Sequence, residues 1–551
     1  MLLGTLCMWC VAVLALVDST NAFAVSGLSA LRAPTKKLSS LRAALPLPLG
    51  VARPLRQSSM SSMSKKMLLR GGFTVPSVTG MIHMVQQTPT TLFNGLFVTL
   101  SALTVGIKGA EWVQQRVAVS KGGAEVVDDK PKSVKDLQMK FLTVFWLVRM
   151  ADWLQGPYFY EMYASKVLNG VPASIDTISK LFLMGFATTG LLGPFVGRQV
   201  DLRGRRAGTI AFTVLYALGA LSTRANVLWL LLLGRVAGGI GTSLLFAAPE
   251  AWMVAEHQNK GHGGKWIGET FGLAYGGDAI VAIVAGQLAS MAATRAGHTG
   301  PYTLSLVFLA ASAVGAMTLW TENKAPQNSG GTDEVSIGEA LNMIRKDRRI
   351  MLLGAIQALF EGAMYIFVIQ WVPALRSVIE QFSFGVAGSG ATIPFGKVFS
   401  CFMACCLLGT TVFSRAQKMG LTVETLALLM LALATGAMTT ATTVGLGGSL
   451  GSLIAAFCVF EACVGMYFPS IGTLRSKIIP DAQRSVIMNL FGLPLNLIVV
   501  GVFLSLKHLG TKGALGVSST ALTIATLCMA ALRATTLPEA KAKDVEEQCV
   551  Q

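Results

Sequence analysis

GRQVDLRGRR, residues Gly197 to Arg206, separates two apolar stretches and reads G-x-x-x-D-x-x-G-R-R. Gly197 and Gly204 permit a tight reversal and close helix approach. Asp201 can meet a helix N-terminus or a basic group, while Arg205 and Arg206 hold the reversal at one membrane face. On this reading both flanking stretches are membrane spans, and the rest of the chain can be counted outward from them.

Of 551 residues, 52% are hydrophobic and only 13% charged, with positive mean hydropathy. That is the balance of a polytopic membrane chain, not of a soluble enzyme. A span needs roughly 20 apolar residues, at about 1.5 Å of rise each, to cross about 30 Å of hydrocarbon. Windows at 141–163, 174–196, 207–223, 227–255, 267–293 and 302–320 meet that test, and so do 350–375, 390–413, 421–443, 449–473, 485–506 and 514–532. The expected fold is all-α and polytopic, with a six-helix half at 139–321, a charged linker at 322–349, a second six-helix half at 350–537 and a polar tail at 538–551. An extra apolar helix near Leu92 to Ile107 and a charged connector precede them, at 92–138.

Alternate loops differ in basic content, as the positive-inside rule requires. One set carries Arg198, Arg203, Arg205 and Arg206, then Lys260 and Lys265, the linker cations, Arg415 and Lys418, and Arg475, Lys477 and Arg484. The other set is sparse, with Lys166, Lys180, Arg224, Arg295, Arg376, Lys507 and Lys512. The 197–206 loop, the linker and the tail therefore face the cytosol or its equivalent. The formal charge of +17 does not signal nucleic acid. Ser19 to Ala110 holds no acidic residue while basic ones accumulate, and no basic, aromatic-interleaved module is present.

Residues 1–22 read as a signal peptide, with an apolar core from Leu2 to Val17 and small residues before Phe23. Residues 23–90 form a basic leader of transit-peptide composition, and Phe23 at the expected cleavage point resembles the two-part presequences of algae with complex plastids. Nine cysteines give no disulfide or metal framework. Cys401, Cys405, Cys406, Cys458, Cys463 and Cys528 fall in apolar spans, where small soft residues suit helix packing. No metal site and no cofactor are expected.

QGPYFY at Gln155 to Tyr160 can be laid on EGAMYI at Glu361 to Ile366, and GTSLLFAAPE at Gly241 to Glu250 on EACVGMYFPS at Glu461 to Ser470, with Pro249 over Pro469. Two halves related in this way place a solute site between them near the midplane.

Five separated segments carry a closer resemblance. ADWLQGPYFY (Ala151 to Tyr160), GRVAGGIGTSLLFAAPEAWMVAEH (Gly234 to His257), LLGAIQALFEGAMYIFV (Leu352 to Val368), IPFGKVFSCFMACCLLGT (Ile393 to Thr410) and FEACVGMYFPS with LRSKIIP (Phe460 to Pro480) resemble the molybdate-anion transporter family, the group of major facilitator superfamily domain-containing protein 5. The resemblance covers roughly Leu92 to Leu537. It implies the superfamily fold, uptake of molybdate by alternating access and a plasma-membrane location, whereas the leader suggests a plastid envelope; transport of another anion or small organic solute such as sulfate, a sugar or a metabolite, or a non-transporting sensor or scaffold, stays open. A monomer is expected. The long leader departs from the family pattern, as do Arg149 and Lys397, where apolar residues are usual.

A charged residue in hydrocarbon costs about 2.5–3.5 kcal/mol on insertion scales, so polar groups inside spans are functional candidates. Arg149, Asp152 and Gln155 share one face of the first span, and Arg149 and Asp152 can neutralise each other. Glu250 lies in the fourth span and Asp278 in the fifth. Gln357, Glu361 and Tyr365 share a face of the seventh, Lys397 falls in the eighth and Glu461 in the tenth. Glu250, Glu361 and Glu461 have no partner near in sequence, which suits proton carriage. Arg235, Glu256 and Arg475 are expected to be charges on the cytosolic side. Gly197, Asp201, Gly204, Arg205 and Arg206 are expected to form a loop that latches the two halves.

Granting a dianion, inward movement against 100 mV costs roughly 4.6 kcal/mol, at about 2.3 kcal/mol per charge. That is about three decades of accumulation, so proton coupling is expected, with two protons making uptake electroneutral. An enzyme is not: the chain holds no nucleophile triad or phosphate loop. HQNKGHGGK, His257 to Lys265, reads as a solvated loop.

Overall fold

The computed structural model describes residues 93–103, 106, 130–261, 264–324, 337–383, 393–480 and 484–550. The expected signal peptide, the leader, most of the connector and residues 325–336 of the linker lie outside them.

The first span is broken. Helix Lys132–Trp153 gives way to a 3-10 turn at Gly156–Tyr158, and the chain resumes as Phe159–Ala164. Proline lacks the N–H a continuing helix would need, so Gly156-Pro157 ends the first segment. A two-stranded hairpin, Val167–Leu168 with Val171–Pro172, leads into Ile175–Arg203, capped by the Ser174 hydroxyl accepting from Thr177 N. The third to sixth spans are Arg205–Ser222, Leu228–Asn259, Gly264–Ala296 and Gly300–Leu319. An amphipathic helix, Ile337–Lys346, precedes the second half. There the seventh to tenth spans are Arg348–Ser383, Phe395–Lys418, Val423–Thr440 and Leu450–Ile478. A last helical stretch, Arg484–Val550, is broken at Gly510, whose φ of 60° separates the eleventh and twelfth spans.

Among the described residues eight stretches are long and apolar enough to cross a membrane. Two of these, Trp266–Leu319 and Leu490–Thr535, run to 54 and 46 residues and divide at Gly297 and at Gly510. The remaining two spans, Lys132–Ala164 with its internal charges and the short Arg205–Ser222, complete two six-helix halves. The extra helix, Phe93–Leu103, packs on the eighth span. Phe93 is fully buried, its carbonyl accepts from Cys401 Sγ at 3.7 Å, and Asn94 Oδ1 accepts from Lys397 Nζ at 2.7 Å.

Several expectations are corrected. The GRQVDLRGRR segment is not a ten-residue loop, because helix runs through Gly197 and Asp201 to Arg203 and the reversal is Gly204 alone, at φ +126°. That positive φ suits glycine and no residue with a Cβ. The eighth span starts at Phe395 and not near residue 390, so Lys397 lies on its first turn, half-buried beside Asn94. His257 is helical and fully buried, not part of a solvated loop, while His262 lies outside the described residues. Helix also continues to Val550, through most of the expected tail.

The contacts that join the halves gather at the end carrying the sparse loops. Late in the fifth span and early in the eighth, Gly286 and Gly396 meet so closely that a Cβ on Gly396 would stand 2.2 Å from the Gly286 carbonyl oxygen. Ser400 Oγ there donates to the Ile283 carbonyl at 2.7 Å. Phe182 of the second span meets Phe503 of the eleventh at 5.0 Å, and Phe186 meets Tyr365 at 5.1 Å. Glu161, buried at the same end, is ion-paired to Arg376 of the seventh span.

Candidate functional site

A cavity of about 220 Å³ lies between the first, second, third, fourth and sixth spans, and Val368 to Val372 of the seventh close its side. The broken first span exposes Asp152, Gln155 and Gly156 to it, and the fourth contributes Arg235.

Arg149 is not available to a solute. Its Nε and Nη2 bond both oxygens of Asp278 at 2.9 Å, and its guanidinium lies 4.9 Å from the Trp153 ring. Trp153 Nε1 also donates to Asp278 at 2.8 Å. The expected pairing of Arg149 with Asp152 is secondary, at 3.6 Å. Asp152 instead accepts from the Tyr216 hydroxyl at 2.9 Å, which also bonds the Thr242 hydroxyl at 2.8 Å. Gln155 donates to Ser305 at 3.0 Å. One carboxylate thus satisfies the arginine, and the other faces the cavity with an aromatic hydroxyl.

Arg235 is the unforeseen member. It was expected beside Glu256 on the cytosolic side, yet both lie on Leu228–Asn259, where 21 residues of helix separate them by about 30 Å. Arg235 donates Nε to the Leu181 carbonyl at 3.2 Å and stacks 4.7 Å from the Phe159 ring centroid. Among the described residues no carboxylate pairs with it. Loop parity could have found this, since the fourth span starts at the sparse 224–227 loop. Glu256 does sit at the opposite end, 3.5 Å from Lys260.

The second half holds its own network. Arg475 donates Nη2 to Glu361 Oε1 and Nε to Gln357 Oε1, each at 3.1 Å, while Tyr467 donates to Glu361 Oε1 at 2.9 Å. Glu361 therefore has a cation, contrary to its isolated look in sequence. Glu250 accepts from the Tyr275 hydroxyl. Glu461 is buried and makes no hydrogen bond or ion pair with a described residue.

The Gly204 reversal is bound within its own half. Asp201 and Arg205 pair across it at 3.0 Å, and Glu322 accepts from Arg206 N at 3.0 Å and Ala207 N at 2.9 Å, capping the third span. Arg206 Nη2 donates to the Met317 carbonyl at 2.8 Å. Its partners are thus the end of the sixth span and the start of the linker, so in this conformation it does not latch the halves together. Glu322, Glu161, Arg376 and Tyr216 were not singled out in sequence because each gains its meaning from a partner far along the chain.

Comparison with known proteins decides the family. The chain is 30% identical over 430 residues to the molybdate-anion transporter of Takifugu rubripes, covering 73% of this chain and 84% of that one. The Danio rerio molybdate-anion transporter gives 30% over 431 residues, with 73% and 85% covered. The chain belongs to the molybdate-anion transporter family. Residues 103–460 also match a family model described as sugar transporters with 12 transmembrane segments. Among solved structures, the nucleoside transporter NupG aligns with a TM-score of 0.56 at 13% identity, over 72% of this chain and 99% of that one. The xylose transporter XylE from E. coli, in an inward open conformation, gives 0.53 at 12%, over 72% and 95%. At such identity these two share the fold alone. Members of the molybdate-anion transporter family are transporters, and this chain is an integral multi-pass membrane transporter of the major facilitator type, not an enzyme.

Proposed function

We propose that the chain carries molybdate, or a tetrahedral dianion of like size, into the cell by alternating access coupled to protons. The single observation that carries this reading is Arg235, a guanidinium lining the cavity with no carboxylate partner among the described residues. At about 30 Å³ per water, 220 Å³ holds a small oxyanion with several waters. The names of the relatives supply the identity of the anion.

The place where the halves touch supports alternation. They meet at the end of the sparse loops, so the path opens toward the cytosol, and parting Gly286 from Gly396 would open the other side. Asp152 is the proton carrier in the cavity: Arg149 is committed to Asp278, and Asp152 keeps Tyr216 and a looser 3.6 Å contact. Protonating it leaves Arg235 as excess positive charge for the anion. One chain lines the cavity, so a monomer suffices.

Labelled molybdate uptake into proteoliposomes tests this. An inward proton gradient is expected to raise accumulation, and indifference to the gradient sinks the coupling. Arg235→Gln is expected to raise KM roughly 10- to 100-fold, from about 1.5–3 kcal/mol for a charged hydrogen bond; an unchanged KM removes Arg235 from the site. Sulfate competing as well as molybdate would reassign the cargo. The plasma membrane is the location the family favours, and the acid-free leader favours a plastid envelope. Fluorescent fusions of the full chain and of one beginning near Thr90 separate the two.

A further inference from the structure

The polar network of the second half has features the cavity does not explain. Gln357, Glu361 and Tyr365 follow at four-residue intervals on one face of the seventh span, and the Tyr365 ring meets Phe186 of the first half. That face therefore looks into the cleft between the halves. Behind it Tyr467 stacks on Phe360 at 4.0 Å and is buried, so the network has a rigid back wall. The titratable or charged groups facing Glu361 are Tyr365 from its own span and Tyr467 and Arg475 from the tenth. The eleventh span packs Leu495 and Ile498 against Gly362.

Arg475 differs from Arg149 in how it is held. Arg149 grips both oxygens of Asp278, whereas Arg475 grips one oxygen of Glu361 and one amide oxygen, and its Nη1 has no partner among the described residues. A bidentate pair resists exchange; a single-oxygen pair leaves donors for another oxyanion. Arg475 also sits three residues from the cytosolic end of Leu450–Ile478, whereas Arg235 lies near the opposite end of the fourth span.

Resting on the oxyanion reading above, we propose that Gln357, Glu361 and Arg475 form a second anion station on the cytosolic side of the second half. Glu361 takes its proton from the outer side while the path is open there, which frees Arg475 for the incoming dianion, and it gives that proton up to cytosolic water as the dianion departs. The proton adds to the carboxylate and later leaves it; no covalent bond to the anion forms. With Asp152 carrying a proton in the first half, two protons accompany each dianion and the cycle is electroneutral.

The test is steady-state accumulation in proteoliposomes held with and without an inside-negative potential of 100 mV, using molybdate and, separately, sulfate. Wild type is expected to be insensitive to the potential. Glu361→Gln, which cannot carry its proton, should move one net negative charge per cycle and lose about 40-fold in accumulation, one charge at about 2.3 kcal/mol converted at 1.4 kcal/mol per decade. Arg475→Gln should slow release of the anion on the cytosolic side at least tenfold, and an unchanged release rate overturns the station. A Glu361→Gln protein that accumulates the anion independently of potential overturns the station. Sulfate taken up in place of molybdate, with the same potential dependence in Glu361→Gln, supports the station and changes only the cargo. No uptake of either dianion by wild type overturns both readings. Calorimetric binding in detergent guards against misfolding: retained binding by Glu361→Gln with one proton fewer taken up supports the station, and an unchanged proton count overturns it.

Discussion

Replacing Gly396 with alanine should open the outer end of the protein. The added Cβ would stand 2.2 Å from the Gly286 carbonyl oxygen and 2.6 Å from Ser290 N, where ordinary contact begins near 3.4 Å, so the fifth and eighth spans must part by about 1.2 Å. Ser400 then loses its 2.7 Å bond to Ile283, worth about 1 kcal/mol, and overpacking adds about 1–3 kcal/mol. Even about 2 kcal/mol shifts the balance of conformations about 30-fold, at 1.4 kcal/mol per decade. The assay is modification of a cysteine placed at Val368, which lines the cavity and is 46% exposed, by a membrane-impermeant maleimide applied at the sparse-loop face. Protein lacking that cysteine gives the background. Labelling should rise at least tenfold in Gly396→Ala. Gly472→Ala is the control, since nothing lies within 4 Å of its Cβ. A labelling rate within twofold of the parent, in protein of normal thermal stability, refutes the reasoning.

Arg376→Ala should act in the same direction, because it strands the buried Glu161 carboxylate, and Glu161→Gln in the same chain should restore closure as read by the same labelling. Arg149→Leu should lower stability by about 3–5 kcal/mol, since it leaves Asp278 buried and uncompensated, and the double variant with Asp278→Leu should recover most of that in detergent unfolding. Glu322→Ala should cost about 1 kcal/mol through the lost cap of the third span, with faster amide exchange at Arg206 and Ala207.

Span number was legible because length and hydropathy are local properties of the chain. Partners were not. Arg149 has an acidic neighbour three residues on, and the sequence offered that pair; Asp278, 129 residues away, wins by presenting both oxygens. GRQVDLRGRR read as a loop because glycines and charges usually end helices. The structure needs one glycine, since Asp201 and Arg205 pair across it and Glu322 supplies the cap from beyond the sixth span. Arg235 was mistaken for a loop-end anchor because it lies near one end of a long helix, and proximity to an end does not say which end. Lys397 was placed well inside the eighth span, and lies on its first turn, because the Gly-rich approach to that span has no sharp apolar edge.

The Glu322 cap ties four spans of the first half together. The second and third spans meet at Gly204, the sixth ends at that same point, and the fourth is drawn in by Asn323, whose side chain donates to the Trp252 carbonyl at 3.2 Å. Four of the six spans are thus tied at one point on the side of the basic loops, three by their ends and the fourth through Trp252. A displacement of any one of them is passed to the others through segment 317–323, where the linker departs.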